Sequence, residues 1–171
     1  DQDFSSAPSN ANSWGADVAG AYDADCQAYD RRTRDAQSGT AGNQEMLFVF
    51  AAGNAGDGAS TVGAPGGAKN VITVGASESN DAVLSYTDGC LVGVSGSNNI
   101  QDIIDFSSRG PCLDSRFKPE IVAPGTHIHG AASYDASYNG TGVCDMYNPA
   151  GQPKYAESSG TSHSPPAHTG L

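Results

Sequence analysis

A serine on a glycine turn and an asparagine at the end of an apolar run are the residues of this sequence best suited to chemistry. Ser162 follows Gly160 and Thr161, and Asn54 follows the apolar run 48–53. A serine hydroxyl becomes a useful nucleophile only when a base accepts its proton and fixed donors stabilise the oxyanion that develops. Ser162 offers the nucleophile and Asn54 offers a side-chain donor. The pattern predicts acyl-transfer chemistry, although no base is evident.

The segments that carry these residues resemble the subtilisin-like serine proteases. The motifs are Ala-Ala-Gly-Asn ending at Asn54, Ser-Ser-Arg-Gly-Pro at 107–111, Ala-Pro-Gly at 123–125 and Gly-Thr-Ser ending at Ser162. The resemblance spans nearly the whole chain and implies an α/β fold, a mostly parallel sheet with flanking helices. It also implies that the fold is incomplete, because the family's catalytic histidine and aspartate motifs would lie upstream of Asp1. We expect residues 1–171 to form part of a peptidase catalytic domain whose partners are the missing N-terminal part and a protein or peptide substrate.

The resemblance implies a role for each of several residues. Ser162 would be the nucleophile of a serine endopeptidase, and the Asn54 amide would form the oxyanion hole with the Ser162 N–H. The walls and floor of the specificity pocket would come from three segments: Ser13, Trp14 and Gly15; Ala51, Ala52 and Gly53; and Gly63. A pocket built from glycine and alanine carries no charge, so a large apolar or aromatic side chain before the cut is expected.

Other interpretations of the same residues stay open. Gly-Thr-Ser can be a plain helix-capping turn, and an asparagine beside glycines is common in turns. After the serine, the family usually reads Met-Ala-Thr-Pro-His-Val-Ala-Gly, of which only Pro166 and Gly170 occur here. The divergent stretch favours a non-catalytic relative that binds peptides or assists assembly. If the chain is a peptidase, the isolated chain is expected to be inactive because it lacks the base.

Metal sites are the remaining chemical possibility. His127 and His129 would share one face of a strand, a spacing that suits a two-ligand site of a metal hydrolase or a displaced base. A surface or partly packed histidine pair is the expected state. Structural calcium has candidate ligands in loops, most of which we expect to be solvated: Asp57, Asp81, Asp88, Asp114 and Asp145. The chemistry itself calls for no cofactor and no metal.

Composition narrows the partners and the compartment. The 171 residues carry a net charge of −11, which repels phosphate backbones and predicts no nucleic-acid partner. No apolar stretch approaches the roughly 20 residues that span a bilayer, so a soluble, secreted protein is expected, with no membrane partner.

Four cysteines without a Cys-x-x-Cys pair favour two disulfides. Three connectivities are open, and a hairpin near Phe106 favours Cys90 with Cys112, which leaves Cys26 with Cys144.

The pattern of apolar residues predicts α/β organisation. Apolar residues at three- and four-residue spacing predict an amphipathic helix from Val18 to Ala36. Continuous apolar runs predict buried strands of a parallel sheet, and shorter strands surround them. The predicted strands cover residues 12–15, 46–52, 71–76, 103–107 and 119–123, with long loops at 78–99 and 139–151.

Overall fold

The structure is a computed structural model that describes residues 9–80 and 86–170. The candidate calcium ligand Asp81 lies outside these ranges. The elements are β1 (Ser9–Asn12), α1 (Ala24–Arg32), β2 (Leu47–Ala51), β3 (Ile72–Ser77), β4 (Ile121–Pro124), β5 (Ile128–Ala131), β6 (Tyr155–Ser158) and α2 (Ser164–Thr169). Neither helix is long and apolar enough to cross a membrane, a finding that covers the described ranges alone.

Four strands form one parallel sheet in the order β1-β2-β3-β4, and β5 pairs with β6 in a separate antiparallel ribbon. Because all four sheet strands run the same way, their carboxyl ends share one edge, the edge at which ligands bind in open α/β sheets. Asn54 follows β2 and Gly125 follows β4 at this edge. The parallel α/β sheet predicted from the apolar runs is present.

The centre of the sheet is apolar because β2 and β3 are covered on both faces. Val49, Phe50 and Val74 are fully buried, and consecutive buried residues replace the alternation of a half-exposed strand. One core cluster packs α1 and the loop before β3 against β2: Cys26, Met46, Phe48, Phe50, Ala64, Ala68 and Val71. This core fixes β2, and therefore the position of Asn54 beyond its end.

The predicted helix 18–36 is wrong in extent, because α1 begins only at Ala24. Ala19 and Gly20 both have positive φ, which a right-handed helix does not allow. The Asp23 side chain then accepts a hydrogen bond from the Cys26 N–H and caps the helix. Before Asp23 the chain forms a turn, and the apolar residue Val18 in this segment packs against the core.

Two predicted strands also differ. Residues 103–107 make only an isolated bridge, between Ile103 and Ser77. A strand does not form there because the chain turns, with the Ser107 N–H bonded to the Ile104 carbonyl. The first strand ends at Asn12, so the segment 13–15 leaves the sheet and is free to line the edge described above.

The predicted cysteine pairing is wrong. Cys90 is joined to Cys144, while Cys26 and Cys112 are buried free thiols. The hairpin that would have brought Cys112 to Cys90 is absent, and Cys112 instead opens a turn closed by Ser115. Burial raises the pKa of the Cys26 thiol to about 11 and also raises that of Cys112. Both thiols should therefore be inert in the folded protein.

Removal of this disulfide should destabilise the chain. The bond closes a loop over a sequence separation of 54, for which chain entropy predicts a stabilisation of about 4 kcal/mol. Cys90→Ser should lower the free energy of unfolding by about that amount in denaturant titrations. Reduction of the disulfide in the unmodified chain is the control, because it should lower the free energy of unfolding to the value for Cys90→Ser. Non-reducing peptide maps should contain the Cys90–Cys144 peptide, and a Cys90–Cys112 peptide would contradict the structure.

Candidate active site

A cleft of about 400 Å³ opens at the carboxyl edge of the parallel sheet. Every residue predicted for the site lines it: Ser13, Trp14, Gly15, Ala51, Ala52, Gly53, Asn54, Gly63 and Ser162. Six further residues also line it: Ala16, Asp17, Ala55, Thr61, Ser108 and Thr161. The predicted residues therefore share one surface.

The turn that presents Ser162 is attached to the end of β4. The Gly160 N–H donates to the Gly125 carbonyl at 2.7 Å, and the Ser164 hydroxyl donates to the Ala123 carbonyl at 2.9 Å. Ser162 lies in a short 3-10 turn, Thr161–His163, which leads directly into α2. These bonds fix Ser162 on both sides, and its backbone N–H lies at the start of a helical segment, where such groups lack partners.

Asn54 is anchored to the residue before Ser162. Its Oδ1 accepts from the Thr161 N–H at 2.9 Å and from the Thr161 hydroxyl at 2.8 Å. Two donors on one oxygen identify it as the carbonyl oxygen of the amide, so Nδ2 is the free end of the side chain. The amide therefore has a fixed orientation, with a donor beside the Ser162 turn. Thr161 is fully buried. Its role as the anchor of Asn54 was not predicted, because the Gly-Thr-Ser motif indicates a function only for its serine.

The loop that carries Asn54 is held from the far side by the 107–111 motif. The Ser108 N–H donates to the Gly53 carbonyl, and the Ala55 N–H donates back to the Ser108 hydroxyl at 3.0 Å. Gly53 has a φ of 108°, and a Cβ there would lie 2.9 Å from the Ser108 oxygen. Glycine is required at 53 for both reasons.

Residues 13–17, which follow β1, form another wall of the cleft. The Ser13 hydroxyl donates to the Ser162 carbonyl at 2.5 Å, and the backbones of Ala16 and Ala64 form two reciprocal hydrogen bonds. A Cβ on Gly63 would lie only 2.7 Å from the Ala16 carbonyl oxygen. Gly63 therefore allows the wall and floor of the cleft to approach closely.

Trp14 is half exposed, yet its ring is supported from behind. It makes edge-on contacts with Phe50 and Tyr29, at centroid distances of 5.7 and 5.9 Å. Aromatic pairs of this kind add to apolar burial. The indole is thus a rigid apolar wall, tied to the same core that fixes β2.

The expectation of an uncharged pocket is wrong in one respect, because Asp17 lines the cleft. Its carboxylate accepts a hydrogen bond from the Ala19 N–H at 3.2 Å and is otherwise exposed. Asp17 was not among the residues predicted for the pocket, because it lies between the predicted wall segment 13–15 and the helix predicted from Val18. A turn with positive φ at Ala19 and Gly20 follows it in place of the predicted helix.

The Ser162 hydroxyl has a backbone partner and no base. It donates to the Ser13 carbonyl at 3.2 Å, which is its one hydrogen bond within residues 9–80 and 86–170. No histidine of the described chain lines the cleft. The cleft thus holds a serine hydroxyl beside an oriented amide donor, and its described lining contains no histidine.

The two histidines singled out by their spacing both reach one buried carboxylate. His127 Nδ1 lies 2.6 Å from Glu157 Oε1, and His129 Nε2 lies 3.0 Å from Glu157 Oε2. Only His129 is in a strand, because His127 precedes β5. His127 is buried, whereas a surface or partly packed pair was expected, and the His129 side chain is 41% exposed. Neither residue lines the cleft, so they do not serve as a displaced base for Ser162 there.

His163, directly after the candidate nucleophile, is half-buried, and burial lowers the pKa of its ring below 6.5. A folded-state pKa below the unfolded value means that the unfolded chain binds more protons, so stability falls as the pH drops below about 6.5. We expect His163→Gln to reduce this loss in chemical unfolding measured at pH 5, 6, 7 and 8. Superimposable pH profiles for the two proteins would contradict this assignment.

The chain is similar to a known protein family and to several known proteins. The family model described as the subtilase family matches residues 10–171. Serine protease AprX of Bacillus subtilis (strain 168) is 36% identical over 83 residues, which is 48% of this chain and 16% of AprX. Pyrolysin of Pyrococcus furiosus is 40% identical over 92 residues, 49% of this chain and 6% of pyrolysin. Tripeptidyl-peptidase 2 of Caenorhabditis elegans is 40% identical over 93 residues, 52% of this chain and 6% of that protein.

Two solved structures share the fold. The prenylagaramide maturation protease PagA superposes with a TM-score of 0.54 and 22% identity, over 97% of this chain and 42% of PagA. Sphericase superposes with a TM-score of 0.51 and 22% identity, over 95% of this chain and 40% of sphericase. These likenesses confirm the predicted subtilisin-like α/β fold. The chain spans well under two thirds of the length of each of these relatives.

Proposed function

Because the chain belongs to the subtilase family, we propose that residues 1–171 are the part of a serine endopeptidase catalytic domain that carries the nucleophile and the oxyanion hole. The observation that supports this best is the double hydrogen bond from Thr161 to Asn54 Oδ1. It aims an amide donor at the turn of Ser162, in a cleft large enough for a substrate side chain.

In the proposed reaction, the Ser162 hydroxyl attacks the carbonyl carbon of a peptide bond while a base removes its proton. The carbonyl oxygen becomes an oxyanion, which accepts hydrogen bonds from Asn54 Nδ2 and the Ser162 N–H. The base then gives the proton to the leaving amine, and water hydrolyses the ester on Ser162. The histidine base and its orienting aspartate would come from a segment upstream of Asp1.

The preferred substrate is proposed to carry a large apolar side chain before the cut. Trp14 supplies an apolar face, while Gly63 and the Ala52 backbone leave room between the walls. Asp17 adds one carboxylate to the lining. Protein or peptide substrates and the missing N-terminal part are the proposed partners, and secretion is the proposed localisation. Subtilases need no cofactor for the chemistry, and structural calcium stays a prediction.

Covalent labelling tests this function. A fluorophosphonate should modify Ser162 in the full-length protein, with one added phosphonyl group by intact mass and Ser162 identified by peptide mapping. The purified chain 1–171 should instead show no serine-dependent turnover of a chromogenic peptide with an aromatic residue before the cut, because it lacks the base.

The two outcomes separate the peptidase from its rival. A folded full-length protein that remains unlabelled would favour the non-catalytic peptide-binding module, for which the divergent stretch 163–169 is the supporting observation. Hydrolysis by chain 1–171 at ordinary enzyme rates, lost in Ser162→Ala, would show that the base lies within this chain.

A further inference from the structure

The loop between β5 and β6, residues 132–154, contains a sequence of the kind that accepts a sugar chain. Residues 139–141 read Asn-Gly-Thr, which is the one Asn-x-Ser/Thr triplet among the 171 residues. Enzymes of the secretory pathway attach N-linked glycans to this triplet when its middle residue is not proline. So short a triplet also arises by chance, so its exposure and its local geometry decide whether it is suited to be an acceptor.

The triplet is accessible and is not part of the cleft. Asn139 and Thr141 are both exposed. Neither residue lines the cleft. Asn139 Nδ2, the atom that a glycan would modify, donates no hydrogen bond to any atom of residues 9–80 and 86–170. The reacting atom is therefore available on the surface of the described chain.

The backbone folds tightly around the Asn139 side chain. Its Oδ1 accepts hydrogen bonds from the Thr141 N–H at 3.0 Å and from the Thr141 hydroxyl at 2.6 Å. Gly140 has a φ of 77°, and the Val143 N–H donates to the Gly140 carbonyl at 3.2 Å. An asparagine whose side chain bonds to the backbone two residues later forms an Asx-turn. The acceptor amide and the hydroxyl of the triplet are thus already in contact.

This contact has a chemical consequence for the amide nitrogen. The lone pair of an amide nitrogen is delocalised into the carbonyl group, which makes the nitrogen a poor nucleophile. Loss of a proton from Nδ2 restores a usable lone pair and places part of the negative charge on Oδ1. The two Thr141 donors stabilise that charge, because hydrogen bonds to a charged form favour it. The geometry therefore assists the deprotonation that glycosylation requires.

The disulfide of the same loop is an independent observation. Cys144 lies three residues after Thr141 and is joined to Cys90. Such bonds form in oxidising compartments, among them the lumen of the endoplasmic reticulum, where N-linked glycans are also added. The loop therefore combines an exposed acceptor triplet with a crosslink that suits the same compartment.

We propose that Asn139 is the acceptor of an N-linked oligosaccharide, an inference that rests on the proposed secretion and is independent of the peptidase reaction. The donor would be an oligosaccharide joined through a diphosphate to a lipid. A base of the transferase takes a proton from Nδ2, and Nδ2 forms a bond to the first sugar carbon. The bond between that carbon and the diphosphate oxygen breaks, and the lipid diphosphate leaves with the electron pair.

Passage through the endoplasmic reticulum tests the proposal. The full-length protein, with a secretory leader added, is made in a eukaryotic host and treated with a peptide-N-glycosidase in heavy-oxygen water. This enzyme converts a glycosylated asparagine to an isotopically labelled aspartate. Peptide mapping should find the label at position 139 in most molecules, and Asn139→Gln should lose it.

Variants at position 141 separate the hydroxyl from the shape of the loop. Thr141→Val has nearly the same volume but lacks the hydroxyl, so the label at Asn139 should be lost. Thr141→Ser keeps the hydroxyl and should keep the label. Asn99 is a matched control in the same molecule, because it is exposed and its Oδ1 accepts from the Gln101 N–H at 3.1 Å, but Gln101 has no hydroxyl. Asn99 should stay unlabelled.

An unlabelled Asn139 would overturn the proposal, and so would equal labelling of Thr141→Val and Thr141→Ser. Variants retained in the organelle are mapped in the same way, because the transferase acts there before export. The added leader separates this test from the proposed secretion, whose failure would show as retention of the protein in the cytoplasm when no leader is added. Fluorophosphonate labelling of Ser162 tests the proposed peptidase separately.

Discussion

Ser162→Ala in the full-length protein should abolish peptide hydrolysis, with kcat falling by about 10⁶-fold, a magnitude that belongs to subtilisin itself and is carried over to this relative. The proposed mechanism requires the Ser162 oxygen to form a covalent bond with the substrate carbonyl. The other hydroxyl on this turn, that of Thr161, is buried and bonded to Asn54 Oδ1. The measurement is kcat and KM on a peptide with an aromatic residue before the cut.

Ser164→Ala is the matched control for this loss. Ser164 is two residues away, and its hydroxyl bonds to the Ala123 carbonyl and does not line the cleft. We expect it to reduce stability by about 1 kcal/mol and, because its bond helps to hold the Ser162 turn, to lower kcat slightly and far less than Ser162→Ala does. If Ser162→Ala retains most of its activity, or if both variants lose activity equally while folded, Ser162 is not the nucleophile.

Asn54→Ala should lower kcat by about 100- to 1,000-fold with little change in KM, a figure that again comes from subtilisin. The amide would act mainly when the oxyanion forms, so its loss should affect the transition state more than substrate binding. Asn54→Asp provides a sharper test, because it keeps an oxygen for the two Thr161 bonds and removes the donor. Its kcat should fall at least as far as that of Asn54→Ala.

Thr161 variants separate the donor from its anchor. Thr161→Val deletes the 2.8 Å hydroxyl bond to Asn54 Oδ1 and keeps the backbone bond, so a loss of up to about tenfold in kcat is expected. Thr161→Ser restores the hydroxyl and should recover the rate. An Asn54→Asp enzyme with full kcat would contradict the oxyanion role, whatever the Thr161 variants show.

Local patterns in the sequence predicted the parallel sheet. Continuous apolar runs identified β2 and β3, since a strand buried on both faces needs no alternation. The segments that line the cleft were identified by resemblance, because Asn54 and Ser162 are far apart in the chain and their proximity depends on the parallel sheet. No local rule gives the Thr161 bond that orients the amide.

The errors arose where backbone geometry or long-range packing decides the structure. The apolar spacing was helical from Val18, but positive φ at Ala19 and Gly20 prevents a helix there, so α1 begins later. Asp17, just before this turn, lines the cleft. The Cys90–Cys144 bond depends on how two long loops pack, which residue spacing does not reveal. The burial of Glu157 between two histidines likewise depends on the β5–β6 ribbon, whose pairing the sequence did not predict.

The structure of a phosphonate adduct of the full-length protein tests the central claim most directly. We predict a covalent bond between phosphorus and Ser162 Oγ, with the phosphoryl oxygen about 2.7–3.1 Å from both Asn54 Nδ2 and the Ser162 N–H. An adduct on another residue, or a phosphoryl oxygen directed away from Asn54 into solvent, would contradict it.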